Sequence, residues 1–231
     1  MANYYKVMVE MWVNRSKWSN QLLRLLGWML MFNMILSACS VVGVRAWEEP
    51  AYQTKLQEGK FEIREYQPYL VAEVYMEGED FEQASGDGFR ILADYIFGNN
   101  LSRSSAVQMA GKAEKESESI AMTAPVQMDQ GEQANQWRMA FSLPSKWNLE
   151  TVPIPNDQRV QLREVPAEKV VVLQFSGLMG VDDMKEREQQ LRQWVANQQI
   201  EVQGAVRTAR YDPPWTLPFL RKNEVQLKVK D

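Results

Sequence analysis

The chain has no histidine. Histidine is the usual general base, the commonest metal ligand and the partner of serine and cysteine nucleophiles, so those chemistries are removed together. Zinc sites of the common types go with them. Cysteine is almost as scarce. Cys39 is the single copy in 231 residues, so no intramolecular disulfide forms even in an oxidising compartment. Carboxylate pairs such as Glu116 and Glu118 have the chemistry for acid–base work, but they sit in a charged polar stretch where solvation accounts for them. The expectation is a protein without catalysis.

The one cysteine falls at an informative place. Met1–Ala38 carries Lys6, Arg15, Lys17 and Arg24 against Glu10, and then an uncharged run from Leu25 to Leu36. Small residues Ser37 and Ala38 lead into Cys39. A cationic start, a short apolar run and a small-residue exit form the layout of a secretory signal peptide. The run is short for a membrane-spanning helix, which needs about 20 apolar residues. Leu36-Ser37-Ala38-Cys39 also resembles the lipobox of bacterial lipoproteins, which implies cleavage before Cys39 and a diacylglyceryl group, with palmitate-class acyl chains, on its sulfur. The alternative is an uncleaved anchor helix from Leu25 to about Val44. Either reading holds the remainder at a membrane surface, since each buried CH₂ contributes about 0.8 kcal/mol. The residue after the cysteine is Ser40 rather than Asp, which by analogy with Gram-negative sorting favours the periplasmic face of the outer membrane. The expected organisation is a signal peptide with lipobox over 1–38, a lipidated tether over 39–48 and one domain over 49–231.

Without the leader, 22 Lys and Arg face 29 Asp and Glu. That balance argues against nucleic acid as a partner, because phosphate contacts need clustered cations.

The remaining sequence repeats itself. Ile63-Arg64-Glu65 and the strand Leu70–Gly78 recur 99 residues later as Leu162-Arg163-Glu164 and Lys169–Gly177. The same offset maps Leu92, Tyr95 and Ile96 onto Leu191, Trp194 and Val195. The pattern predicts a duplicated ββαββ unit. Alternation in Leu70–Glu77, Gln136–Leu143 and Val225–Lys230 predicts strands with one buried and one wet face. A first helix is predicted from about Phe81 to Phe97, capped by Asp80 and stopped by Gly98, with Gly86 and Gly88 weakening its first half. A second is predicted from about Met184 to Asn197, with Asp183 and Glu186 in a capping box. Between the first helix and the next strand lies a polar loop, Asn99–Ser119.

Three strings carry a family resemblance: Asp94-Tyr95-Ile96-Phe97-Gly98-Asn99-Asn100, Ile120-Ala121-Met122-Thr123-Ala124-Pro125-Val126, and Tyr211-Asp212-Pro213-Pro214-Trp215 with Pro218–Val225. In order and spacing the chain resembles the SOUL haem-binding protein family over roughly Glu49 to Val229. The resemblance implies an α+β fold, a distorted antiparallel β-barrel of two duplicated units with two flanking helices. It also implies a non-catalytic, here membrane-tethered, binding protein for haem, another tetrapyrrole or a similar flat apolar ligand. Similar domains occur in bacterial multidrug-sensing regulators. The alternative is an envelope interaction lipoprotein that keeps the fold without haem.

Haem needs an apolar slot, cations for two propionates and often an axial ligand. With no histidine, ligation falls to Tyr or Met or to no protein ligand. In the family the pocket is attributed to the first helix and nearby strand-end loops. The matching helix offers Phe89, Arg90, Leu92, Ala93, Tyr95 and Ile96, and Met122, Arg221 and Lys222 complete the candidate set. Some relatives carry basic residues on this helix where the chain has Gly86 and Asp94. Core packing is the competing account of Phe89, Leu92, Tyr95, Ile96 and Met122. A solvated helix face competes for Arg90.

Overall fold

The computed structural model describes Trp47–Lys230 apart from Glu79, residues 104–115, Glu132 and Ala134. The expectations for the signal peptide and Cys39 lie outside the described residues. The compact unit comprises Arg45–Pro214 and Pro218–Asp231.

Its strands are β1 (Tyr52–Glu58), β2 (Phe61–Tyr66), β3 (Tyr69–Glu77), β4 (Asn100–Leu101), β5 (Val126–Gln130), β6 (Gln136–Ser142), β7 (Ile154–Pro155), β8 (Gln161–Val165), β9 (Glu168–Phe175), β10 (Val202–Arg210) and β11 (Asn223–Val229). Two helices, α1 (Phe81–Ile96) and α2 (Val181–Asn197), follow β3 and β9. Nine strands form one curled antiparallel sheet in the order β1-β2-β9-β11-β10-β5-β6-β3-β8, the distorted barrel expected. β4 and β7 pair separately.

The order makes the duplication physical. β2-β9-β11-β10 and β8-β3-β6-β5 are equivalent half-sheets that meet where β10 pairs with β5. Each half-sheet takes one strand from the other repeat. β2 pairs with β9 rather than β3, and β8 pairs with β3 rather than β9. The repeat's presence is legible in sequence; this exchange is not, because one offset describes both pairings equally well.

Both helices cover one face of the sheet. α1 packs on β3 and β6, with Phe81, Leu92, Tyr95 and Ile96 against Leu70, Val74, Met76, Met139 and Phe141. α2 packs on β9 and β11, with Leu191 and Val195 against Val171, Leu173, Val225 and Leu227. Asp80 caps α1 by accepting from the Gln83 N–H at 2.9 Å. α2 starts three residues before the expected Met184. Gly180 is its cap, and the Gly180 N–H donates to the Asp183 carboxylate at 3.1 Å, so Asp183 is the third helical residue rather than the cap. The polar loop is pinned at both ends. Asn100 donates to the carbonyls of Tyr95 and Glu118 at 2.8 Å, and the Glu118 N–H donates back to Asn100 at 2.9 Å.

The second face departs from expectation. It is not wet: Glu73 is 2% exposed and Glu224 is fully buried. Alternation correctly marks which residues face away from the helices, but the sheet curls over that side and encloses it.

The two glycines of α1 differ in kind. A β-carbon at Gly88 would stand 2.8 Å from the Met76 Cε and 3.2 Å from the Met139 Cβ, whereas one at Gly86 meets nothing within 4 Å. Gly88 lets the helix lie close on β3 and β6. We expect Gly86→Ala to stabilise by about 0.5–1 kcal/mol through helix propensity. Gly88→Ala should gain less, because Met76 must move; paired thermal melts compare the two.

Candidate functional site

The enclosed face is an ion lattice built on equivalent arginines. Arg64 of β2, fully buried, grips Glu224 of β11 with two bonds of 3.1 and 3.0 Å and reaches Glu62 at 2.6 Å. Tyr211 and Gln226 donate to the same Glu224 at 2.8 and 2.7 Å. In the other half-sheet, Arg163 of β8 binds Glu73 twice at 2.8 Å, and Arg138 joins Glu73 at 2.9 Å while also pairing with Asp129. Arg207 pairs with Glu168 at 2.8 Å.

Burial pulls the Arg64, Arg138 and Arg207 guanidinium groups down, yet neighbouring groups outweigh it and hold each above its usual pKa: Glu224 and Tyr66 for Arg64, Asp129 and Glu73 for Arg138, Tyr69 and Glu168 for Arg207. Burial pushes Glu73 up, but bonds and charge from Arg163 and Arg138 hold it below the usual 4.5. Burial raises Tyr66 to about 12 despite Arg64. Charges so densely placed leave no apolar slot on this face.

Two cavities open there or at its edge. One of ≈ 390 Å³ is lined by Asp129, Arg138, Arg163, Glu168, Arg207 and Lys228 among others. The second, ≈ 400 Å³, lies where Glu48–Ala51 passes the ends of β3 and β6, and is rimmed by Glu48, Glu49, Glu164, Tyr69 and Trp147.

A third candidate surface lies on the helix-bearing side. Arg210, at the end of β10, donates to the Ser85 hydroxyl of α1 at 3.4 Å and to the Met179 carbonyl at 2.9 Å. The loop after β9 is tied in turn to the 3₁₀ turn Pro218–Leu220, since the Gly177 N–H donates to the Pro218 carbonyl at 2.9 Å. Three segments therefore adjoin, and each carries an exposed apolar side chain: Phe89 at 40%, Leu178 at 62% and Phe219 at 70%. Unlike Arg64, Arg138 and Arg207, Arg210 has no carboxylate within ion-pair distance among the described residues. Burial lowers its pKa, Glu82 opposes this and nearby Arg221 reinforces it. Its charge is under-compensated.

The sequence-nominated residues separate accordingly. Leu92, Tyr95 and Ile96 are at most 1% exposed and belong to the α1 core. The Tyr95 hydroxyl donates to the Pro153 carbonyl at 2.8 Å, and burial raises its pKa despite Arg103. Met122 is half-buried against the same core. Phe89 packs at a tilt against Phe141, ring centroids 5.4 Å apart, and stays partly exposed. Arg90 lies on the open helix face, paired with Asp87 at 3.0 Å, and Ala93 is half-buried. Arg221 and Lys222 diverge. Arg221 stays by Arg210, while the Lys222 ammonium turns to Glu49 and Glu224 at 3.4 and 3.6 Å. Arg210 was missed, because a single arginine closing a strand carries no mark in sequence.

The profile of the SOUL heme-binding protein family matches residues 47–228. The chain belongs to this family. Heme-binding protein 1 of Xenopus laevis is 24% identical over 170 residues, 71% of this chain and 81% of the relative. Among solved structures, a hydrolase from Listeria innocua superposes with a TM-score of 0.51 at 9% identity, covering 76% of this chain and 94% of its own. EcmrR in complex with DNA gives 0.51 at 14% identity, covering 94% and 70%. These two likenesses concern the fold alone.

In this SOUL protein no group of three or more Asp, Glu, Cys or His is disposed to hold a metal ion among the described residues. No described helix is long and apolar enough to cross a membrane.

Removing one partner of a buried ion pair strands the other, so Arg64→Leu should cost about 3–5 kcal/mol, read from denaturant unfolding. Glu73 adds a pH dependence. Its folded pKa is lowered, so its contribution is present above pH 4.5 and is lost as pH falls through the folded value. Glu73→Gln should therefore melt below the parent at pH 7, and the gap should narrow toward pH 3.

Proposed function

We propose that this protein is a non-catalytic binding protein for haem or another tetrapyrrole, tethered to a membrane through lipid on Cys39. Family membership and the name of the Xenopus laevis relative support the ligand class. The observation that carries the reading is Arg210, a guanidinium without a carboxylate partner among the described residues, amid exposed Phe89, Leu178 and Phe219. A flat apolar macrocycle with propionates matches that combination of apolar rim and free positive charge. Arg210 and Arg221 would receive propionates, and the three apolar side chains would meet the ring. When bound, haem would supply the iron chemistry; the protein's part is to hold the ring and neutralise its carboxylates.

Axial ligation by the chain is not part of this reading. The Tyr95 hydroxyl is committed to Pro153, and Met122 is half-buried against the α1 core.

Hemin titration of the full chain tests the proposal. A Soret shift and tryptophan quenching at micromolar hemin are expected. Arg210→Gln should weaken binding about tenfold or more, since a charge-assisted hydrogen bond contributes about 1.5–3 kcal/mol. A flat titration overturns the ligand reading and favours an interaction lipoprotein with the same fold.

The tether rests on the Leu36–Cys39 string and is tested separately. Mass spectrometry of the membrane-extracted protein should show acylated Cys39, and Cys39→Ser should move the protein to the soluble fraction. An unmodified Cys39 overturns the tether.

A further inference from the structure

The cavity of ≈ 390 Å³ on the enclosed face plays no part in the proposed haem surface, and its charge is unbalanced. Arg138, Arg163, Arg207 and Lys228 line it with Asp129 and Glu168, and Glu73 stands behind Arg138 and Arg163, which leaves one cation in excess. Both carboxylates are already spoken for, Asp129 by Arg138 and Glu168 by Arg207. Lys228 has no hydrogen-bond or ion-pair partner among the described residues, although it is half-buried. Arg163 and Arg207 each use Nε and Nη2 and keep Nη1 without a partner among the described residues.

The backbone shapes the same place. β10 and β11 lose register between Gln203 and Arg207, where Gly204, Ala205 and Val206 lie opposite Leu227 alone. Gly204 takes φ +78°, a left-handed conformation that favours glycine, and a β-carbon there would meet nothing within 4 Å. Such bulges recur beside functional sites, where they re-aim side chains. Here the bulge falls between the Gln203–Lys228 and Arg207–Gln226 pairs, and Gly204 and Ala205 join Lys228 and Arg207 in the wall of the cavity. The volume is that of a small-molecule site.

The geometry points to a second binding site, for a small oxyanion that bridges Lys228 and the free edges of Arg163 and Arg207. Two guanidinium edges suit the planar or tetrahedral oxygens of carboxylate or phosphate. Arg163 and Arg207 each already face a carboxylate, so Lys228 supplies the uncompensated charge and the two arginines supply open N–H donors. The lattice behind the site holds Arg163 and Arg207 fixed by Glu73 and Glu168, and the donors need no reorganisation when the anion arrives.

Calorimetric titration of the full chain with pyrophosphate and, separately, citrate tests this. Saturable binding of either probe is expected, weakening with added salt; the probe that binds says whether the oxyanion is phosphate or carboxylate. Lys228→Gln should weaken it at least fivefold, and Lys228→Gln with Arg163→Gln at least tenfold. Lys228 has no partner to strand, so its loss should leave the melting temperature within a degree or two. Arg192→Gln, on the exposed face of α2, should leave affinity unchanged. No saturation by either probe at millimolar concentration overturns the site, as does equal weakening by Arg192→Gln. Hemin and pyrophosphate should bind together, and competition between them overturns the separation of the two sites.

Discussion

The grip of Arg64 on Glu224 is the interaction on which the rest depends. It joins β2 of the first repeat to β11 of the second across β9, with both side chains closed off from solvent. Glu62, Tyr66, Tyr211 and Gln226 complete the coordination of the pair, and the Tyr52 ring lies 4.4 Å from the guanidinium. A buried pair of this sort contributes little net stability over an apolar substitute. What it imposes is register, because a slip of one residue would turn Arg64 outward and leave Glu224 uncompensated.

That constraint divides the molecule into two chemistries. The face under the helices is apolar and close-packed. The enclosed face is charged, and nearly every charge there has a partner. The two proposed ligands, of different character, are therefore sorted by side. The proposed tetrapyrrole surface lies with the helices, where Arg210 meets neutral partners. The proposed oxyanion site lies in the lattice, beside the unpaired Lys228. An ion lattice that had to open for an apolar ring would forfeit pairs worth several kcal/mol when broken.

Much of this was legible in sequence. The 99-residue offset, the strand alternation and both helices are local or periodic, so they are written in residue spacing. The family strings sit on structurally demanding positions: Tyr95 and Asn100 hold the end of α1, and Tyr211 meets Glu224. What could not be read is tertiary. Alternation marks Glu73 and Glu224 as facing away from the core, and only the curl of the sheet shows that this direction leads inward. Arg210 gains its character from the partners it lacks, and absence of a partner leaves no pattern in a chain. Lys228 reads as one more surface lysine until the bulge opposite it is known.

The exchange of β2 and β8 between the half-sheets also bears on how the chain reaches this state. Gln174 and Glu62, bonded across β9 and β2, are 112 residues apart in sequence. The first repeat thus emerges from synthesis with β2 unpaired on one side, and must wait for β9 before its half-sheet exists. Pairings so distant make folding slow and leave strand edges exposed meanwhile. Each repeat lends the other the strand that completes its half-sheet, so the duplication is an interlock rather than two separable halves.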